Sequence, residues 1–201
     1  GCRHPAGRDK GVTGLITYMR TDSTTVSSIA QKDAREYIFK VFGKEYLPSR
    51  IPVYKTKVKG AQEAHESIHP TFIELEPEKI EQFLSKDEFQ LYDLIWKRAL
   101  ACQMSAAKID QTSVDIKANN HTFKASGSVI KFLGWLKIYP EKLRENILPE
   151  LKEGEELDLI KLDAKQHFTE PPPRYNDASL VKKLEEMGIG RPSTYAPTIS
   201  T

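Results

Sequence analysis

The chain has 201 residues, 39% hydrophobic and 29% charged, with a net charge of +2. That is enough apolar material for one or two compact units, and it excludes a disordered tail. No apolar run approaches the ~20 residues needed to span a bilayer and no charged-then-apolar leader stands before a small-residue cleavage site, so the expectation is a cytoplasmic protein with no membrane contact.

Residues 1–60 carry twelve Lys or Arg against five Asp or Glu, whereas residues 61–100 carry four against nine. The basic share is a modest footprint of the kind that phosphate backbones attract, although an asymmetry of this size also fits a solvated surface. Gly1 to Lys10 lacks periodicity and reads as a loop. Cys2 and Cys102 form neither a disulfide framework nor a ligand cluster and are expected to be free thiols.

Leu15 to Tyr18 is β-prone, and Thr21 to Ser28 is rich in residues that leave strands and cap helices. Tyr18 therefore stands at a strand edge, where a phenol is either core or held against a substrate. Arg20, two residues on along an extended backbone, would project to the same side and suits a phosphate. Asp22 would orient that guanidinium or simply pair with it at the surface.

Val26, Ile29, Ala30, Ala34, Tyr37, Ile38 and Val41 recur at helical spacing, with Ser28 and Gln31 as a capping box and Gly43 as the stop. Val53 to Lys59 alternates weakly and reads as extended, with lysines on one side. A second helix is marked by Ser85 and Glu88 as a capping box before Phe89, Tyr92, Ile95, Trp96, Ala99 and Gln103. From Gln111 the period becomes two, with Asn119 and Asn120 as the turn, which predicts antiparallel strands. Leu157 to Leu162 predicts another strand, and Pro171 to Pro173 a boundary. Ala178 to Met187 reads as a helix stopped by Gly188, and Pro192 as the first turn of one more. Trp96 and Trp135 are expected in the core.

Three stretches then carry a resemblance: Leu15 to Ser23 (Leu-Ile-Thr-Tyr-Met-Arg-Thr-Asp-Ser), Ala64 to Thr71 (Ala-His-Glu-Ser-Ile-His-Pro-Thr), and Pro171 to Tyr175 running through Gly188 to Tyr195. In this order they resemble the type IA DNA topoisomerases, bacterial topoisomerase I above all. Leu133-Gly134-Trp135-Leu136 resembles a further element of that family. The resemblance implies an α+β fold: a mainly helical domain at 1–107 bearing the tyrosine, inserted in a β-rich arch segment at 108–168, and the start of a helical base domain at 169–201. It implies a location at the nucleoid, a single-stranded segment of negatively supercoiled DNA as partner, and the remaining domains of a parent chain as further partners.

A free phenol titrates near ~10, so a tyrosine needs help to become a nucleophile. Phosphoryl transfer rests on in-line positioning and neutralised oxygens, and a phenolate leaves more readily than an alkoxide, so a phosphotyrosyl ester is resealed without ATP. The resemblance implies Tyr18 as that nucleophile, forming a 5′-phosphotyrosyl link to one strand, with Arg20 on the phosphate. It implies Asp22, His65, Glu66, Arg174, Arg191, Ser193 and Thr194 as DNA-facing residues. The bland readings stay beside these: His65 as a structural histidine bonding a carbonyl, and Ser193 and Thr194 as helix caps. A departure is His69, where many relatives carry arginine; a neutral histidine there would hold phosphate more weakly and with pH dependence. The family's metal-binding acidic domain has no counterpart, so Mg²⁺ is expected to be held by that part of the parent and by no residue here. The expectation is a central fragment, inactive alone; the alternative is a single-stranded-DNA-binding or scaffold module without chemistry.

Overall fold

A computed structural model describes residues 14–19, 21, 23–54, 65–141, 143 and 145–199. The chain divides into two compact units, one formed by residues 1–111 and 128–145 and the other by 112–127 and 146–201.

The first unit is built on two helices. Helix α1 spans Ser28–Phe42. Its cap is Ser27, extended at φ −62° and ψ 152°, whose hydroxyl accepts the Ala30 amide; the expected box on Ser28 and Gln31 is not what forms. Of two adjacent serines, only the one left in extended backbone can turn its hydroxyl back onto the first turn. Gly43 ends the helix at φ 97°, as expected. Successive turns point Ala34 and Ile38 into the core, whereas Ile29 and Val41 are exposed.

A short helix α2, Pro77–Ile80, leads into α3, Lys86–Ala101. The capping box on Ser85 and Glu88 forms as the spacing predicts. Tyr92, Trp96 and Leu100 lie on its buried face. Two of them also work as ties, because the Tyr92 hydroxyl donates to the Leu75 carbonyl at 2.7 Å and the Trp96 indole N–H to the Ile73 carbonyl at 2.9 Å. The polar ends of buried aromatics thus satisfy backbone acceptors in a segment that has no ladder of its own. Tyr37 of α1 meets Trp96 edge-on, 5.8 Å between centroids. Ile38 and Leu100 are fully buried, each contributing on the order of 1.5–3 kcal/mol by removal from water.

Strands β1, Lys108–Ala118, and β2, His121–Phe132, pair as one two-stranded sheet, turning at Asn119 with φ 53°. The Asn119-Asn120 turn is where the sequence predicts it. The base of β2 is held in the first unit by Phe132 against Tyr46, 4.9 Å between ring centroids. A single turn, Gly134–Lys137, follows, its Trp135 amide donating to the Ser105 carbonyl at 3.0 Å.

In the second unit, helix α4 spans Asp177–Met187, capped by Asn176 and closed by Gly188 in the left-handed region at φ 69°. Helix α5 spans Pro192–Ile199. The strand expected at Leu157 to Leu162 does not form; Leu159 is 78% and Ile160 98% exposed. Alternation alone does not make a strand, because its amides and carbonyls need a neighbour. No described segment pairs with it. Among the described residues, no helix is long and apolar enough to cross a membrane.

Candidate functional site

The site grows from a short antiparallel contact between the first two motifs. Ile16 bridges Pro70. The Thr17 amide donates to the His69 carbonyl and the Thr71 amide to the Leu15 carbonyl, both at 3.0 Å. Pro70 lacks an N–H yet sits here without loss, since the two amides that make the bridge are those of Thr17 and Thr71. Side chains reinforce the pairing. The Thr17 hydroxyl donates to the Ser67 carbonyl and accepts the His69 amide, each at 3.0 Å, and the Thr71 hydroxyl donates to the Gly14 carbonyl at 2.7 Å. On the far side of Tyr18, the Ser67 amide donates to the Thr25 carbonyl at 2.7 Å. The tyrosine segment is therefore tied to the second motif before and after Tyr18.

With Leu15 and Ile16 packed against the core, the backbone carries Tyr18 out to solvent, where 73% of it is exposed. Its ring centroid lies 6.1 Å from that of His65, the planes inclined at 38°. The Nδ1 of His65 is buried and has no partner among the described residues. An accessible phenol beside an imidazole can exchange a proton with it or share a phosphate oxygen.

Glu66 and His69 face each other, Nε2 to Oε2 at 2.9 Å, while Nδ1 of His69 lies 2.9 Å from the Pro70 carbonyl. The carbonyl can only accept, so Nδ1 donates to it, while Nε2 contacts the Glu66 carboxyl group. Both nitrogens of His69 are thus engaged within the loop, and its ring is buried. An arginine-like phosphate anchor at this position is not what the geometry provides.

Arg20 and Asp22 lie outside the described residues. In the second unit Arg174, Arg191, Ser193 and Thr194 are exposed. The Thr194 hydroxyl is used locally, accepting the Arg191 amide at 2.9 Å and donating to the Arg191 carbonyl. These bonds tie Thr194, in the first turn of α5, back to the residue that precedes the helix. Among the described residues no three His, Cys, Asp or Glu side chains gather as a metal-ligand group.

The residue that sequence reasoning missed is Thr17. It lies in the first motif, but only alternation along the strand, which turns it away from the faces of Ile16 and Tyr18, hints that its hydroxyl looks toward a neighbour.

A family model described as DNA topoisomerase matches residues 11–201. DNA topoisomerase 1 of Campylobacter jejuni is 53% identical over 191 residues, covering 95% of the chain and 27% of that protein. Its counterpart in Pseudomonas aeruginosa is 50% identical over 94% of the chain and 22% of its own length. The chain thus spans about a quarter of the length of the relatives it matches. The crystal structure of full-length topoisomerase I from Thermotoga maritima superimposes with a TM-score of 0.76 at 37% identity, covering 92% of this chain and 30% of that one.

Proposed function

This chain belongs to the bacterial DNA topoisomerase I family, and we propose that it is the tyrosine-bearing portion of an ATP-independent type IA enzyme that relaxes negatively supercoiled DNA. The observation that carries the reading is the exposed Tyr18 phenol, held beside His65 by the backbone pairing of the first two motifs.

The Tyr18 oxygen attacks a backbone phosphorus of a single-stranded segment. The bond from that oxygen to phosphorus forms and the phosphorus–O3′ bond breaks; the phenol loses its proton and the departing 3′ oxygen gains one. The 5′-phosphotyrosyl ester keeps the strand end while the other strand passes. Religation is the reverse, with the phenolate as leaving group. His65 is suited to the phosphate oxygens or to the proton of the phenol. Arg20 supplies the bidentate fork for the phosphate, oriented by Asp22. Glu66 acts through His69, holding the loop that pairs with the tyrosine strand. Arg174, Arg191, Ser193 and Thr194 supply further backbone contacts that position DNA without reading sequence.

The division into a helical domain at 1–107, an arch segment at 108–168 and a base-domain start at 169–201 belongs to the same proposal. So do Mg²⁺ held elsewhere in the complete protein, a location at the nucleoid, and inactivity of the chain alone.

The test is covalent trapping. The complete protein and its Tyr18→Phe form are each incubated with Mg²⁺ and 3′-labelled single-stranded DNA, quenched in denaturant and resolved on a gel. Label on protein only when Tyr18 is intact establishes the nucleophile and the 5′ linkage. Equal labelling of both, or none with either, assigns the chain to a DNA-binding module without chemistry.

A further inference from the structure

Behind the tyrosine segment, inside the first unit, lies a cavity of about 360 Å³. It exists because three alanines face it, Ala30 and Ala34 from α1 and Ala99 from α3, where larger side chains would have closed the gap between the helices. Tyr54 and Ile73 add further walls. The two charged lining residues, Asp33 and Arg98, are exposed and stand at its mouth. Gln103 also lines it, only 3% exposed, and its Oε1 is buried with no hydrogen-bond partner among the described residues. Leaving such an acceptor unpaired costs on the order of 1–3 kcal/mol, and buried acceptors are generally satisfied. A largely apolar cavity in the volume range of small-molecule sites, with one buried acceptor inside and charges at the mouth, is the pattern of a ligand site.

We infer that this cavity binds a nucleobase, its Watson–Crick edge donating an N–H to Gln103 Oε1. Each of the four DNA bases carries at least one N–H donor on that edge, and each has flat apolar faces for the alanine, isoleucine and tyrosine walls. The choice of a base among planar donors rests on the DNA-processing function proposed above. The bound base would touch Ser23 and Thr24, which follow the tyrosine, and His69 and Pro70, which pair with its strand. Occupancy would therefore brace the two motifs against each other from behind.

The site is tested by following the Gln103 side-chain amide in ¹⁵N–¹H spectra of the chain, titrated with the four deoxynucleosides, a single-stranded hexanucleotide, and an abasic deoxyribose-phosphate oligomer. A saturable shift with a nucleoside Kd of about 0.1–1 mM is expected from the size of the ligand. Gln103→Leu lacks that reporter, so its nucleoside binding is read by calorimetry beside the unaltered chain and should be weaker by at least about tenfold, as removal of a buried acceptor does. If Gln103→Leu melts early, Ala99→Leu, which fills the cavity from α3, must abolish the shift instead. Tighter binding of the hexanucleotide than of its nucleosides assigns the base to a strand; the reverse assigns it to a free nucleoside. No Gln103 shift at the nucleosides' solubility limit, or an equal shift with the abasic oligomer, overturns the site. Neither readout depends on covalent capture, so failure of the cavity and failure of the Tyr18 chemistry remain separate results.

Discussion

Thr17 and His69 exchange two hydrogen bonds: the Thr17 amide donates to the His69 carbonyl, and the His69 amide donates to the Thr17 hydroxyl, both at 3.0 Å. The residue that precedes Tyr18 is thereby clamped to the loop carrying the Glu66–His69 pair. The Thr17 hydroxyl thus helps to hold the backbone that carries the Tyr18 phenol.

Thr17→Val keeps the shape and removes that hydroxyl. The His69 amide and the Ser67 carbonyl then lose a partner in a half-buried place, for an expected loss of about 1–2 kcal/mol. Thr17→Ser restores the bonds and should stay within about 0.5 kcal/mol. Urea unfolding measures the stability, and covalent capture by the complete protein should fall with Thr17→Val but not with Thr17→Ser. Unchanged capture in the valine variant would mean that the backbone pairing alone positions Tyr18.

Gly134 makes a different demand on its neighbours. Its φ is +50°, and a Cβ there would lie 2.4 Å from the Ser105 carbonyl oxygen and 2.6 Å from Ala106. These are backbone atoms fixed by the Trp135–Ser105 hydrogen bond, so they cannot step aside. Gly134→Ala is expected to cost at least about 2 kcal/mol, strain and clash together. Gly154→Ala, at φ +78° with nothing within 4 Å, should cost only about 1 kcal/mol of backbone strain. Denaturant unfolding followed by circular dichroism compares the two.

The sequence reveals what is local. The box on Ser85 and Glu88, the Asn119-Asn120 turn and the Gly188 stop each depend on a few consecutive residues, and each forms. The three motifs were visible as strings for the same reason, and the comparisons bear out the family they resemble. What depends on partners far along the chain was not legible. Ser27 caps α1 in place of Ser28 because of the backbone entering the helix. Leu157 to Leu162 alternates correctly, but a strand also needs a neighbour. His69 could be seen as a departure from arginine, yet only the folded loop turns both of its nitrogens inward. Gln103 reads from the sequence as one more helical position after Ala99, whereas α3 ends at Ala101 and leaves Gln103 beyond it, its Oε1 buried and without a partner among the described residues.

At alkaline pH the buried phenols decide stability. Burial pushes Tyr92 well above the usual phenol range, and burial together with the neighbouring Glu76 does the same to Tyr37. A folded-state value above the unfolded one means stability that is complete below about pH 10 and is lost as pH rises from there toward the folded values. The urea midpoint should fall steeply above about pH 10. Tyr92→Phe should be less stable at neutral pH by about 1 kcal/mol, having lost the bond to Leu75, yet show a shallower alkaline decline. An equally steep decline in that variant would remove Tyr92 from the account.

Acid acts through two carboxylates with opposite settings. Burial works against the Glu76 carboxylate, but hydrogen bonds from Lys79 and Tyr37 outweigh it and hold the group below its usual range. Glu88 is exposed and is lowered first by the Ser85 amide, which donates to it in the capping box, and then by the Ser85 hydroxyl. Lowered folded-state values mean stability that is present above about pH 4.3 and lost as pH falls through the folded values. Glu88→Gln can still accept from the Ser85 amide but no longer titrates. Its urea midpoint should therefore change less between about pH 6 and pH 3 than that of the unaltered chain. Glu76→Gln should likewise flatten the profile, and should also leave the Tyr37 hydroxyl with a weaker, neutral partner. If neither substitution alters the acid slope, the acid sensitivity of the fold lies in other carboxylates, and neither the capping box nor the Tyr37–Glu76 contact accounts for it.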